Sequence, residues 1–408
     1  MSNKIIVIGG GAAGMMAAIS AKKAGGDVII LERNDRVGKK LLATGNGRCN
    51  YTNINLSINN YHGKNHKFAY SGLSKFDVNQ TINFFERIGI TPTIEDDGRV
   101  FPFSLQSSSV LDLLRYEIKD LGIDLITGAY VKEIRKKKNK FIIKSNNGKE
   151  IKGDKVILAT GGKAMPNSGS DGNGYNLAKK LGHSIIDSFP GLVQLNLEGN
   201  IFRQIAGVKF PGMVKLYSNN KLLIEDMGDV LFTKYGISGP PILQISRTAL
   251  DYLRKEKDIE LKVSIIYNKT EEEIIEYLEE RFLFMQRKTI EEALIGLINK
   301  RLINTILKEI KLDKDKNVSN LSKKEIHKLG KILISWKFKI TGSQGWHQAQ
   351  VTAGGVNTKE IDGQTFQSKL VEGLYIVGEL LDIDGDCGGF NLQWAWSSGY
   401  IAGLNSSK

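Results

Sequence analysis

A strand, a glycine turn and a helix follow one another without interruption at the start of the chain, and this succession limits the possible folds more than any other feature. Lys4-Ile-Ile-Val-Ile8 is a short continuous apolar run, as a parallel strand buried on both faces requires. Gly9, Gly11 and Gly14 follow at the spacing GxGxxG, and Met15 to Lys23 then reads at helical periodicity. Val28 to Leu31 is a second apolar strand, and it ends in Glu32. This order predicts an α/β fold whose first unit binds a dinucleotide. Gly9 permits the sharp turn, Gly11 lets the backbone approach a pyrophosphate, and Gly14 lets the helix lie close to the strand. Ala12 and Ala13 stand between these glycines and join the cofactor-binding set, and the free N–H groups and positive dipole end of the helix that follows face the phosphates. Glu32 is placed to accept hydrogen bonds from the adenosine ribose, and its charge argues against a 2′-phosphate.

Two further segments select the dinucleotide. Lys155-Val-Ile-Leu-Ala159 is another buried strand and runs into Thr160-Gly161-Gly162. Gly373-Leu-Tyr-Ile-Val-Gly378-Glu379 repeats the pattern and leads, through Asp382 to Gly389, into a helix from about Asn391. This arrangement resembles the glutathione-reductase-like FAD proteins, and an NAD site alone would not need the last segment. The resemblance implies that Glu379 bonds the ribityl or pyrophosphate region and that the final helix points its N-terminal end at the flavin. A second GxGxxG and a CxxC are both absent, so electrons reach the flavin from a transient NADH or NADPH, from another protein, or from the substrate.

Longer strings sharpen the match. They are Gly38 to Asn53 (GKKLLATGNGRCNYTN), Gly98 to Phe103 (GRVFPF), Leu231 to Pro240 (LFTKYGISGP), Val351 to Val356 (VTAGGV) and Gly388 to Gly399 (GGFNLQWAWSSG). Together they resemble a bacterial family of FAD-dependent oxidoreductases that includes aminoacetone oxidase-like, bile-acid 4,6-ene reductase-like and ribosomal RNA dihydrouridine synthase-like flavoproteins. The likeness covers nearly the whole chain. It implies that the loop from Thr44 to Asn53 passes beside the isoalloxazine, with Asn46, Arg48, Cys49 and Asn50 nearest; read alone, the same asparagines also suit a loop-closing role. The cofactor-binding set then takes in Arg33, Lys40, Leu41, Thr44, Gly45, Asn46, Asn50, Val131, Ala159, Thr160, Gly161, Gly378, Glu379, Gly389, Asn391 and Leu392. The family has a small residue where this chain has Cys387, so that thiol is given no role.

All nucleotide motifs lie near the two ends of the 408-residue chain. Residues 1–190 and 345–408 are therefore expected to form one discontinuous FAD-binding Rossmann domain. Residues 191–344 form an insertion, β-rich over 191–268 and helical over 269–344, on the substrate side. The net charge is +13, and between Arg287 and Lys339 fourteen basic residues face six acidic ones. A second cluster, Arg135 to Lys138 with Lys140, occupies a hairpin turn. Either a coding bias toward lysine or a surface for RNA phosphates accounts for this excess. Trp336 and Phe338 are the aromatics there that suit base stacking. Two cysteines lack metal-site spacing and fit a reducing cytoplasm, no metal is expected, and no apolar run is long enough for a membrane span. Oligomeric state is left open.

The chemistry that fits best is hydride addition to a polarised C=C bond, with a donor on the enolate oxygen and an acid for the adjacent carbon. Arg48, Lys234 and the amides of Gly354 and Gly355 are the candidate donors. Cys49 and Tyr235 are the candidate acids, and His347 is placed to protonate or orient, though it equally suits an interface hydrogen bond. His62 and His66 read as surface residues. Three functions follow: reduction of uridine in 23S ribosomal RNA, reduction of a small enone, and oxidation of an aminoacetone-type amine.

Overall fold

Apolar strands that are continuous rather than alternating must be covered on both faces, and the first sheet meets that condition. The computed structural model describes residues 2–146, 148 and 150–408. One compact unit consists of Met1–Pro190 and Gln350–Lys408, the other of Gly191–Ala349.

In the first unit, β1 (Lys4–Ile8) is followed by α1 (Ala12–Lys23), β2 (Asp27–Leu31), β3 (Asp124–Ile126), β4 (Lys155–Leu158) and β5 (Leu374–Ile376). The strands form a parallel sheet in the order β5-β4-β1-β2-β3, so the sheet draws on both ends of the chain. Ile5, Ile6 and Val7 have no exposed surface. Every residue of α1 from Ala13 to Ala21 is buried, because the sheet lies on one side and α2 (Phe390–Ser406) on the other. Small residues set that helix contact: a Cβ on Gly399 would lie 2.4 Å from the Ala13 carbonyl oxygen, and one on Gly403 2.3 Å from that of Ala17. Smaller antiparallel sheets join Thr52–Asn53, Arg99–Pro102 and Pro92–Ile94, and separately Val131–Lys137, Lys140–Ser145 and Glu150–Gly153.

The second unit is a closed antiparallel barrel. Its strands are, in order around the wall, Leu195–Leu197, Gly236–Ser238, Lys221–Thr233, Lys209–Ser218, Glu260–Ser264 and Trp336–Ser343. Helices Glu271–Phe284, Ile290–Leu294, Lys300–Glu309 and Lys323–Ile334 lie between its last two strands in sequence.

Three expectations are corrected here. The helical part does not extend to 344: Trp336, Phe338 and Ile340 alternate with exposed Lys337, Lys339 and Thr341, a period of two that makes the closing strand. The insertion also runs five residues further than expected, to Ala349. Trp336 and Phe338 are buried, and Trp336 packs on Phe232 with ring centroids 5.7 Å apart, so neither ring is available to stack on a base.

Candidate functional site

The turn after β1 closes on itself and leaves one opening. Gly9 is left-handed at φ 105°, and a Cβ there would lie 2.5 Å from the Ala159 carbonyl oxygen. A Cβ on Gly14 would lie 1.9 Å from the Gly9 carbonyl oxygen, so α1 meets the turn only with glycine at that position. Gly11 differs: nothing lies within 4 Å of the place its Cβ would take. As the N-cap of α1, it opens the first helical turn, with Ala12 and Ala13, onto a cradle suited to a pyrophosphate.

Glu32 sits at the end of β2 and is 6% exposed. Its Oε2 accepts the Gly10 N–H at 2.7 Å and its Oε1 accepts the Asn34 N–H at 2.8 Å. The carboxylate thus ties the strand end to the glycine turn and keeps lone pairs for ribose hydroxyls. Arg33 pairs with Asp171, donates to the Gly169 carbonyl at 3.3 Å and lies over the Tyr130 ring at 4.9 Å. The buried Val131 accepts at its carbonyl from Asn173 Nδ2 at 2.9 Å.

Four distant segments meet at Glu379. Lys40 Nζ lies 2.6 Å from its Oε2, and the Thr352 N–H donates to its Oε1 at 2.9 Å. Thr352 Oγ1 in turn accepts the N–H groups of Lys163 and Ala164 at 2.8 and 3.0 Å. Gly378 is left-handed at φ 68°. Ala159 is buried, Gly161 is left-handed, and Thr160 Oγ1 is enclosed without a hydrogen-bond partner, as is Asn50 Oδ1. Unpaired buried acceptors are what a bound polar ligand or water satisfies.

The loop from Leu41 to Asn50 is wound tightly. Leu41 is buried, and the Thr44 hydroxyl donates to its carbonyl at 2.6 Å. Gly45, Asn46, Gly47 and Cys49 all have positive φ, and such a cluster including two non-glycine residues is a mark of functional loops. Asn50 abuts the start of α2, since a Cβ on the left-handed Gly389 would lie 2.7 Å from its Oδ1. Asn391 exchanges two hydrogen bonds with Gly385, both at 2.8 Å, and so shapes the chain leading into α2. Leu392 is half-buried.

The candidate catalytic groups divide between the units. Arg48 Nη1 pairs with Glu95 at 2.8 Å, and its guanidinium lies 4.3 Å from the Phe101 ring centroid. Cys49 has no exposed surface, and burial pushes its thiol up to about 12, against a smaller opposing effect of the Thr44 hydroxyl. A fully enclosed thiol that stays protonated hands no proton to a substrate, so Cys49 is removed from the candidate acids. Gly354 and Gly355 lie in the buried strand Val351–Val356, where Cβ atoms would lie 2.4 Å from the Asp187 carbonyl oxygen and 2.7 Å from that of Leu380. Lys234, Tyr235 and His347 belong to the second unit, where Tyr235 and His347 are exposed. His62 is half-buried and pairs with Asp386 at 2.7 Å, and His66 is half-buried as well, so neither is simply a surface residue. Among the described residues no cluster of His, Cys, Asp and Glu suits a metal ion, and no helix is long and apolar enough to cross a membrane.

Sequence reasoning missed Asn34, Thr352 and Gln393. Gln393 Oε1 accepts from Thr52 at 2.6 Å, and its Nε2 reaches the Phe76 carbonyl at 3.0 Å and the Thr81 hydroxyl at 2.8 Å. Asn34 Nδ2 donates to the Ser168 carbonyl at 2.9 Å, and the side chains of Thr352 and Gln393 likewise bond to remote segments, so no local spacing marks them.

Comparison with known proteins agrees with this geometry. Residues 3–405 match the family described as "HI0933-like protein Rossmann domain". The 3-dehydro-bile acid delta(4,6)-reductase of Clostridium scindens is 38% identical over 381 residues, covering 93% of each chain. The ribosomal RNA dihydrouridine synthase of Haemophilus influenzae is 30% identical over 387 residues, covering 93% of this chain and 92% of that one. Among solved structures, the 3-ketosteroid delta1-dehydrogenase of Sterolibacterium denitrificans superposes with a TM-score of 0.51 at 12% identity, covering 99% of each chain; that likeness concerns the fold alone. The cradle at Gly11, the Glu32 carboxylate and the partnerless Thr160 hydroxyl fit the dinucleotide that this family binds. The chain belongs to the HI0933-like family of FAD-binding Rossmann proteins and is a flavin-dependent oxidoreductase.

Proposed function

We propose that this chain reduces a C=C bond conjugated to a carbonyl, with NADH or NADPH as electron donor, and that its substrate is the uridine 5,6 double bond in 23S ribosomal RNA. The names of the relatives describe reduction of a bile acid and synthesis of dihydrouridine. Both are additions of hydrogen to unsaturated carbon. The observation that carries the reading toward RNA is the charge of +13, concentrated between Arg287 and Lys339. A phosphate backbone is the partner such a surplus attracts.

Bound FAD, once reduced by the nicotinamide donor, would supply the hydride and return to its oxidised form. The N–H groups at the start of α1 would hold the pyrophosphate, Glu32 would hold the adenosine ribose, and the Lys40–Glu379 pair would bond the ribityl or pyrophosphate region. The N-terminal end of α2 places its positive dipole toward developing negative charge. Arg48 would donate to the enolate oxygen of the substrate, where negative charge develops. The reaction takes place in the cytoplasm.

Mapping dihydrouridine in 23S RNA from a strain lacking this protein tests the reading. Loss of one or more dihydrouridines supports it, and an unchanged map ends it. A second reading, reduction of a small steroid-like enone, is favoured by the 38% identity to the bile-acid reductase. In that case a dissolved enone, and not RNA, reoxidises the reduced enzyme without oxygen.

A further inference from the structure

Helix Lys323–Ile334 is one-sided in an unusual way. Ile326, Leu329, Gly330, Ile332 and Leu333 are buried, and a Cβ on Gly330 would lie 3.1 Å from Ile275, so this face is pressed onto helix Glu271–Phe284. Lys323, Lys324, His327, Lys328 and Lys331 are exposed. At roughly 100° per residue these five positions fall within an arc of about 140°. Lys324 and Lys331 are separated by about 10 Å along the axis.

Nothing on the helix neutralises this face. Its one acidic residue, Glu325, accepts from the Ser322 N–H at 2.8 Å and pairs with Lys316 at 2.7 Å. Those partners hold its carboxyl at about 2, a carboxylate committed to the cap. None of the ammonium groups of Lys323, Lys324, Lys328 and Lys331 has a hydrogen-bond or ion-pair partner among the described residues. Elsewhere in the same lobe lysines do find carboxylates, as Lys314 does with Glu291 and Lys337 with Glu260. A row of unpaired cations costs self-repulsion that a polyanion relieves, and counterion release adds to the gain.

We infer that the exposed face of helix Lys323–Ile334 is the docking surface for the phosphate backbone of the RNA, with Lys324, Lys328 and Lys331 as its core. The inference rests on the RNA reading above and assigns the contact to one helix face.

The test is the salt dependence of binding to a 23S ribosomal RNA transcript, measured on the FAD-loaded full chain. The variant K324Q/K328Q/K331Q is compared with K119Q/K152Q/K179Q, which removes three exposed lysines from the first unit outside its basic hairpin. The proposal expects the slope of log affinity against log salt to fall by about three in the first variant. In the second it expects the wild-type slope. Equal slopes in the wild type and the first variant overturn it, as do equal losses in the two variants, which would mean bulk charge alone. Vesicles containing phosphatidylserine provide the other occupant: lysines that govern vesicle binding and leave the RNA slope untouched also overturn it. Binding is read without turnover, so the face stands or falls on the slope even if no dihydrouridine is made. Dihydrouridine formed by a chain whose slope ignores these lysines would keep the proposed function and discard the face.

Discussion

Glu32 Oε2 accepts the Gly10 N–H at 2.7 Å, which fastens the end of β2 to the glycine turn that follows β1. The same carboxylate is the proposed ribose-binding group, so on that proposal holding the turn and holding the nucleotide are one task. A hydrogen bond to a buried charged group contributes about 1.5–3 kcal/mol. Glu32→Ala is therefore expected to weaken FAD binding by roughly tenfold to a hundredfold. Retention of yellow colour through gel filtration and a fluorescence titration check this.

His183 gives the fold a dependence on pH. Its Nδ1 lies 2.9 Å from Glu360 and its Nε2 2.9 Å from Ser368. Ser368 Oγ already accepts the N–H groups of Leu370 and Val371, so its proton points at Nε2, and the neutral ring keeps its own proton on Nδ1 toward Glu360. Burial lowers the imidazole below its ordinary 6.5, outweighing the opposing pull of Glu360. The unfolded chain binds this proton more readily, so the contribution of a neutral His183 is present above 6.5 and is lost as the pH falls below it. The Glu360 carboxyl is itself lowered from 4.5, so its own loss comes at more acidic pH. Thermal unfolding between pH 7.5 and 5 is expected to show a fall that His183→Gln flattens.

Cys49 is expected to be chemically silent. With its thiol at about 12, iodoacetamide at pH 8 leaves Cys49 unmodified in the folded chain and labels the exposed Cys387. Cys49→Ala keeps turnover within about threefold of the wild type, whereas a true general acid contributes about a hundredfold or more. Peptide mapping and anaerobic reoxidation kinetics supply the two readouts.

Trp336 belongs to the barrel core. Trp336→Ala is expected to destabilise the second unit by about 3–5 kcal/mol, as large-to-small core substitutions do. Denaturant unfolding followed by far-UV dichroism measures the loss. A stable variant with weaker RNA binding would instead restore the base-stacking role.

Local patterns carried the nucleotide half of the fold because each element is adjacent in sequence to what it needs. The run Ile5 to Ile8, the glycines and Glu32 lie within one strand-turn-helix-strand passage, and the sheet places them as their spacing implies. The barrel was harder to read. Its closing strand lies beyond four helices in sequence, and nothing before Trp336 signals that a strand will return to pair with Glu260–Ser264. The glycines, Glu32, Lys40 and Glu379 stood out in the sequence, but the pairings that clamp the candidate site together did not. Lys40 with Glu379, Thr352 with Lys163, and Gln393 with Thr52 join positions remote in sequence, and side-chain pairs of that kind leave no periodicity. Cys49 shows the opposite failure: its residue type invited a chemical role, and its complete burial removes it.

The central claim is that the opening above Gly11 holds the pyrophosphate of FAD, and Gly11→Val tests it most directly. Gly11 has φ −80° and no neighbour within 4 Å of its Cβ position, so the protein itself accommodates the side chain. Titrating the apo forms of wild type and variant with FAD, alongside their thermal unfolding, separates fold from site. The account predicts similar unfolding temperatures without FAD and an affinity about tenfold or more weaker in the variant. Equal affinity for FAD in the two proteins would contradict it.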